Sequence, residues 1–498
     1  MLTGWRKTLS RLFIIPQRYV LGIMGFLAIL NAYTMRTSLS LAITEMVQPT
    51  VSGESEDVCI VNDTHEDSSS SKITDGLYDW DESTQGLILS SFYWGYVLTH
   101  IPGGIMAERY GGKYSLSLGI LSTAVFTLIT PFFVDFGYGW LIVLRVCVGF
   151  GEGTTFPALN ALLGKWVPVH ERGKIGTLVF AGSQIGTIAA NALGGIVIDA
   201  TGTWASVFYL FGGLGVVWFI LFTLLCYSDP ESHPFISEKE KSYLRKELSN
   251  TISNKDKKIP WKQILTSTPL WALVVAQIGH DWGFFEMVTD LPKYMSGVLK
   301  FKVRENGLWS SLPYLVMWIV SLSSGWVCDY IIKKGYIGIT FARKLFTAIG
   351  AIGPGIFMLA ASYAGCDRNV VIAMFTIAMG CMGTFYCGMK VNALDLAPNY
   401  AGTLMAIVNG IGALSGIVTP YLVGAMTEGQ TLTQWRTVFW ITMGVFVVTT
   451  IIYVLFGSGE EQWWNRPDHP NFGINVEKGI EAEKSEKETK MNNETNKF

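Results

Sequence analysis

Apolar residues gather in stretches long enough to cross a hydrocarbon layer, about 20 residues each, and these recur along the whole chain. Six come first, at residues 20–43, 85–106, 114–134, 138–162, 175–198 and 204–226. A polar interval, 228–268, separates them from six more at 270–291, 307–330, 341–364, 370–394, 402–426 and 438–457. In lipid every backbone N–H and C=O must be satisfied inside its own segment, so each stretch predicts a helix. The expected fold class is an all-α membrane protein of twelve transmembrane helices. Its expected parts are an N-terminus over 1–19, a six-helix half over 20–226 with a long loop at 44–84, a linker over 227–268, a second half over 269–457 and a disordered tail over 458–498. The opening stretch is too long for a secretory signal and is interrupted by Arg36, so it is expected to remain as the first span.

The polar positions between the stretches orient the chain. Arg6, Lys7, Arg11 and Arg18 precede the first span. Arg109 and Lys113 lie between the second and third, Lys165, Arg172 and Lys174 between the fourth and fifth, and Lys333 and Lys334 between the eighth and ninth, with Arg343 and Lys344 at the start of the ninth. Basic residues favour the cytosolic side, which puts both termini and the Lys-rich linker in the cytosol. The loop with Lys293, Lys300, Lys302 and Arg304 breaks this rule. The acidic, Ser-rich loop over 54–81 falls on the opposite face, where Asn62-Asp63-Thr64 matches a glycosylation acceptor. A second match, Asn493-Glu494-Thr495, lies in the tail and is expected to stay unmodified.

Composition narrows the class. Half of the 498 residues are hydrophobic and only 15% are charged, against roughly 25% charged in soluble domains. That leaves too little polar side chain to coat a soluble body. A net charge of −2 gives no polyanion-binding character, so nucleic acid is not an expected partner. Seven cysteines show no metal-ligand spacing, and no metal or cofactor is expected. Cys59 and Cys366 fall in polar stretches on the same face; a disulfide is open to them, but the sequence gives no distance. No nucleophile–base set appears, which argues against an enzyme.

The two halves repeat. Gly104-Ile105-Met106-Ala107-Glu108-Arg109-Tyr110-Gly111-Gly112-Lys113 follows the second span, and Gly325-Trp326-Val327-Cys328-Asp329 with Lys333-Lys334-Gly335 follows the eighth. The first of these turns resembles the signature loop of the major facilitator superfamily. Arg145, Gly149, Gly151 and Gly153 match another of its signatures, R-x-x-x-G-x-G-x-G. Further segments resemble the anion:cation symporters that include sialin, the vesicular glutamate transporters and the type I sodium–phosphate cotransporters. They are Ser91-Phe92-Tyr93-Trp94-Gly95-Tyr96, Ile101-Pro102-Gly103-Gly104, Gly151 through Pro157, Ser310 through Tyr314, and Leu394 through Pro398. Gly279-His280-Asp281-Trp282-Gly283-Phe284-Phe285 and Gly388 through Ala393 are similar to the insect subgroup named for inorganic phosphate cotransport. The resemblance implies a major facilitator fold of two pseudo-symmetric halves.

An ionisable group inside a span costs at least about 2.5–3.5 kcal/mol on insertion scales, so it faces a cavity or a partner. Arg36, Arg145, Glu152, His280, Asp281, Glu286 and Lys390 form that set. The guanidinium of Arg36 fits carboxylate or phosphate oxygens; alternatively it pairs structurally with an acid. Seven residues separate Arg145 from Glu152, putting them on one helix face about 10 Å apart. The resemblance assigns the substrate anion to Arg36 and His280 and cation or proton coupling to Glu152. Arg145 and Asp281 join the coupling set as candidates, and Tyr96 and Lys390 join the substrate set. Gly104, Glu108, Arg109, Gly111, Lys113 and Asp329 are the structural signature. The sequence departs from sialin at Val148, which stands where sialin has a second glutamate. It departs from the glutamate carriers at Leu89 and Asn160, where they have histidines, so glutamate fits less well as a substrate.

The expected function is symport of inorganic phosphate or a small organic anion, coupled to sodium or protons, by rocking of the halves. The alternatives are a proton-driven exporter of carboxylates or acidic sugars from lysosome-like compartments and a non-transporting sensor that keeps the fold. A monomer in the plasma membrane or in a lysosomal or vesicular membrane is expected.

Overall fold

A computed structural model describes residues 15–48, 59, 78–252 and 259–465. Every regular element among them is helical, and extended pairing is limited to one bridge, Val47 with Tyr78, which pins the two ends of the long loop. The elements are α1 (Gln17–Met46), α2 (Glu82–Tyr110), α3 (Gly112–Phe133), α4 (Tyr138–Glu152), α5 (Thr155–Trp166), α6 (Val169–Phe180), α7 (Gly182–Thr201) and α8 (Ala205–Leu225). The linker follows with α9 (Glu238–Ile252) and α10 (Trp261–Leu265). The second half holds α11 (Thr268–Gly297), α12 (Val303–Lys333), α13 (Ile339–Tyr363), α14 (Arg368–Gly383), α15 (Met389–Leu396), α16 (Ala401–Gly412), α17 (Ser415–Met426) and α18 (Leu432–Phe456).

Ten helical stretches among the described residues are long and apolar enough to cross a membrane. Two more, α2 and α11 with 29 and 30 residues, bring the count to the expected twelve. In α11 the apolar signal is diluted by His280, Asp281, Glu286, Asp290 and Lys293, all buried. Hydropathy therefore passes over α11, whose span is crowded with polar groups.

The fourth, fifth, tenth and eleventh spans are each broken rather than continuous. The breaks fall at Gly153–Thr154, Ala181, around Thr384–Gly388 and at Ala413–Leu414. Each broken span in the first half has its counterpart six spans later, as a repeat requires. Glycine explains one of these arrangements directly. At Gly149 a side chain would meet the carbonyl of Phe92, and at Gly95 one would meet the carbonyl of Val146. Two bare backbones therefore let α2 and α4 cross closely enough to bring Arg145 and Glu152 against the aromatic side of α2.

Among the described residues the halves meet most extensively along two seams. α7 packs on α12, with Gly195 against the backbone of Val303 and Gly307. α2 packs on α17, with Gly86 against Pro420 and Gly424. Both seams lie toward the face that carries the long loop, here called the disulfide face, because Cys59 of that loop is bonded to Cys366 between α13 and α14, Cα to Cα 5.5 Å. The opposite face carries the linker. There Glu240 of α9 accepts from the backbone of Gln17 (2.9 Å) and pairs with Arg18 (3.1 Å), and Arg18 also holds Glu171 at 2.8 Å. Glu231, paired with Lys241 and Arg245, is pulled below the usual carboxylate range by their hydrogen bonds.

Two sequence expectations need correction. The tail expected to be disordered from 458 remains ordered as far as Asn465. The amide of Gly459 donates to Thr340 at 3.0 Å, Gln462 to the carbonyl of Leu396 at 2.9 Å, and Trp464 is buried against Tyr400. One tryptophan supplies enough apolar area to hold a short polar segment down. Lys293, which broke the charge rule, is not a loop residue: α11 runs past it to Gly297, and it is 3% exposed, between Glu82 and Asp290. Asn62 lies outside the described residues, as does Asn493.

Candidate substrate-binding site

Arg36 lies near two thirds of the way along α1, where the long apolar helix carries it to the interior between the halves; it is 4% exposed. Its guanidinium carbon lies over five rings: Tyr93 at 4.7 Å, Phe92 at 4.8 Å, Tyr33 at 5.2 Å, Phe285 at 5.3 Å and Tyr96 at 5.6 Å. Four of these come from the first half and Phe285 from α11 of the second. Tyr93 and Phe285 touch each other, centroids 4.7 Å apart.

The rings do not replace the hydration a guanidinium loses on burial. Ring faces answer its charge but accept none of the hydrogen bonds that its N–H donors made to water. Glu152 adds an opposite charge, with Oε1 3.6 Å from Arg36 Nη1 and no exposed surface. Nε and Nη2 of Arg36 and both carboxylate oxygens of Glu152 have no hydrogen-bond partner. Buried donors of this kind are normally answered by protein, ordered water or a bound group.

Arg145, expected in the coupling set, is held against the main chain of α1. Its Nη2 donates to the main-chain carbonyl of Arg36 at 3.2 Å, and its guanidinium lies over Phe92 at 5.2 Å. It fixes the backbone that carries Arg36. As the spacing implied, it makes no direct pair with Glu152; Glu152 turns to Arg36 instead.

The candidates in the second half lie on the facing elements. His280 stacks flat on Phe385, centroids 3.9 Å apart, and lies nearly parallel to Phe284 at 5.8 Å, and its Nδ1 is unpartnered. Asp281 accepts from Gln277 at 2.6 Å. Lys390 donates to Asn409 at 3.0 Å. The charge of Lys390 reaches both His280 and Asp281, and that of Arg36 reaches Asp281. Tyr96 is buried, stacked on Phe92 and, one turn on, near His100.

The signature residues sit apart from this centre. Gly111 caps α2 with φ of 95°, a conformation glycine tolerates, and Lys113 donates to the carbonyl of Thr223 at 2.8 Å. Asp329 and Arg109 are exposed on the linker side, and Gly104 faces Pro157. The counterpart in the second half is a pair the sequence did not single out: Arg343 grips Asp395 at 2.6 Å and the carbonyl of Cys387 at 2.7 Å. Asp395 belongs to the Leu394–Pro398 segment already noted, and that was its only signal.

Comparison with known proteins settles the family. The profile of the Major Facilitator Superfamily matches residues 21–420. The chain belongs to the major facilitator superfamily. Among relatives, a Drosophila melanogaster protein named "Putative inorganic phosphate cotransporter" is 42% identical over 462 residues, 91% of this chain and 87% of that protein. Human sialin is 41% identical over 456 residues, 91% of each chain. Among solved structures, a bacterial homologue of the human lysosomal transporter Spinster superposes with a TM-score of 0.67 at 14% identity, covering 89% of this chain and 97% of that one. That likeness bears on the fold alone. These relatives are transporters of this superfamily, not enzymes.

Proposed function

We propose that this chain carries inorganic phosphate or a small organic anion by alternating access, in symport with a proton or a sodium ion. The observation that carries the reading is the buried guanidinium of Arg36, with two donors unanswered, between the halves and 3.6 Å from a fully buried carboxylate. An anion arriving at Nε and Nη2 stands beside Glu152 and repels it. A proton or sodium ion taken up by Glu152 relieves that repulsion, which links the movement of the two ions. His280, Lys390 and Tyr96 complete the anion's surroundings, while Asp281 tempers the charge of Lys390. The names of the relatives favour phosphate and sialic-acid-like anions, and the fit is to that charge class. No cofactor is needed for this chemistry, and one copy of the chain contains the whole site.

The linker face is proposed to be cytosolic, since the basic residues gather there and the disulfide on the other face suits an oxidising lumen or exterior. That orientation fits the plasma membrane or a lysosomal or vesicular membrane. Uptake of labelled phosphate, sialate and glutamate into liposomes bearing the purified protein tests the reading. Saturable uptake of phosphate or sialate that rises with an imposed sodium or proton gradient is expected. Uptake of none above protein-free liposomes would favour a sensor that keeps the fold.

A further inference from the structure

Lys293 on α11 and Glu82 at the start of α2 belong to different halves, 211 residues apart in sequence, and their charged atoms are 2.6 Å apart. Both are buried, at 3% and 7% exposure, and Asp290, at 1%, lies 3.9 Å from Lys293 on the same helix. The pair stands in the seam between α2 and α17, where Gly424 approaches the backbone of Glu82 and Gly86 approaches Pro420. None of these three residues belongs to the site around Arg36.

We propose that Glu82 and Lys293 are the gate that seals the central site from the disulfide face, and that Asp290 receives Lys293 when the gate opens. The proposal rests on the alternating-access reading above. Its physical basis is that each partner has somewhere to go. When the halves part, water enters the seam and Lys293 keeps Asp290, one turn away on its own helix. Glu82 is left in the first turn of α2, where unpaired backbone N–H groups favour a carboxylate. A pair that only held the fold together would gain nothing from such alternatives. Here Asp290 lowers the cost of separation, and Glu82 raises the stability of the closed arrangement. Substitutions at the two acids should therefore act in opposite directions.

Ser90 supplies a reporter. It lies on α2 between Gly86 and Tyr93, at helical spacing from both residues that face α17, and is 1% exposed. Ser90→Cys should react slowly with a membrane-impermeant thiol reagent added at the disulfide face, the same protein without the reporter serving as background. Glu82→Gln and Lys293→Met should each speed that reaction by about tenfold or more, as loss of a buried ion pair shifts the balance between the two states. The double variant should be no faster than Lys293→Met alone. Asp290→Asn should slow it. Unchanged rates in Glu82→Gln and Lys293→Met, or an Asp290→Asn that speeds labelling as they do, would overturn the gate. The labelling needs no substrate, so its failure leaves the transport reading standing, and failure of anion uptake leaves the labelling result interpretable.

Discussion

The two halves share a fold and the same broken spans, yet they treat their buried charges differently. In the first half Arg36 and Glu152 face one another with donors and acceptors left open, and Arg145 is spent on the backbone that carries Arg36. In the second half each charged candidate already has a neutral hydrogen-bond partner, Gln277 for Asp281 and Asn409 for Lys390, and His280 stacks on phenyl rings. Repetition of helices thus does not imply repetition of chemistry. On the proposed reading, the first half supplies the groups that hold the anion and its coupling ion, and the second shapes the field around them.

The largest effect should come from Arg36. Arg36→Ala is expected to abolish anion uptake while the protein still inserts and runs as a single species in gel filtration, because the residue is bound mainly by rings and one acid. Arg36→Lys keeps the charge but loses the fork of donors, and affinity should fall by about 1.5–3 kcal/mol, measured as a raised KM. If Arg36→Ala prevented insertion, Arg36 would be a structural partner of Glu152 and the contrast between the halves would disappear.

Lys390 sharpens the comparison from the other side. Lys390→Met removes one hydrogen bond to Asn409 and a charge that reaches His280 and Asp281. A loss of about 0.5–1.5 kcal/mol is expected, a few-fold in KM, with transport retained. Total loss of transport in Lys390→Met, with Arg36→Lys still active, would move the anion to the second half.

The smallest effect lies outside the membrane. His233 in the linker accepts from the amide of Phe235 through Nδ1, 3.1 Å, and meets the carbonyl of Leu225 through Nε2, 3.2 Å. Its burial lowers its pKa from 6.5, so the folded linker holds the neutral ring. The unfolded segment takes up the proton first, so the contribution of His233 is present above about pH 6.5 and is lost as the pH falls. Hydrogen exchange at Phe235 should quicken below that pH in the native protein and become pH-independent, beyond intrinsic chemistry, in His233→Phe.

Much of the candidate site is legible because an ionisable side chain in an apolar stretch is conspicuous: Arg36, Glu152, His280, Asp281 and Lys390 all stand out this way. Spacing also excluded a direct Arg145–Glu152 pair. What stayed hidden depended on partners far away in sequence. Nothing near Lys293 points to Glu82, and nothing in 458–465 says that Trp464 will find Tyr400. The breaks in four spans were hidden for another reason: glycine and alanine keep a stretch apolar whether or not the helix continues through it. The Cys59–Cys366 bond was open in sequence and needed only the distance.

Glu152 is proposed to take up the coupling ion beside an anion held by Arg36. Anion uptake into liposomes, with sodium and proton gradients imposed one at a time, compares native protein with Glu152→Gln most directly. The native protein should accumulate the anion under one of the two gradients, and Glu152→Gln should lose that accumulation while still exchanging anion across the membrane at equal concentrations. An unchanged response of Glu152→Gln to both gradients would contradict a coupling role for Glu152.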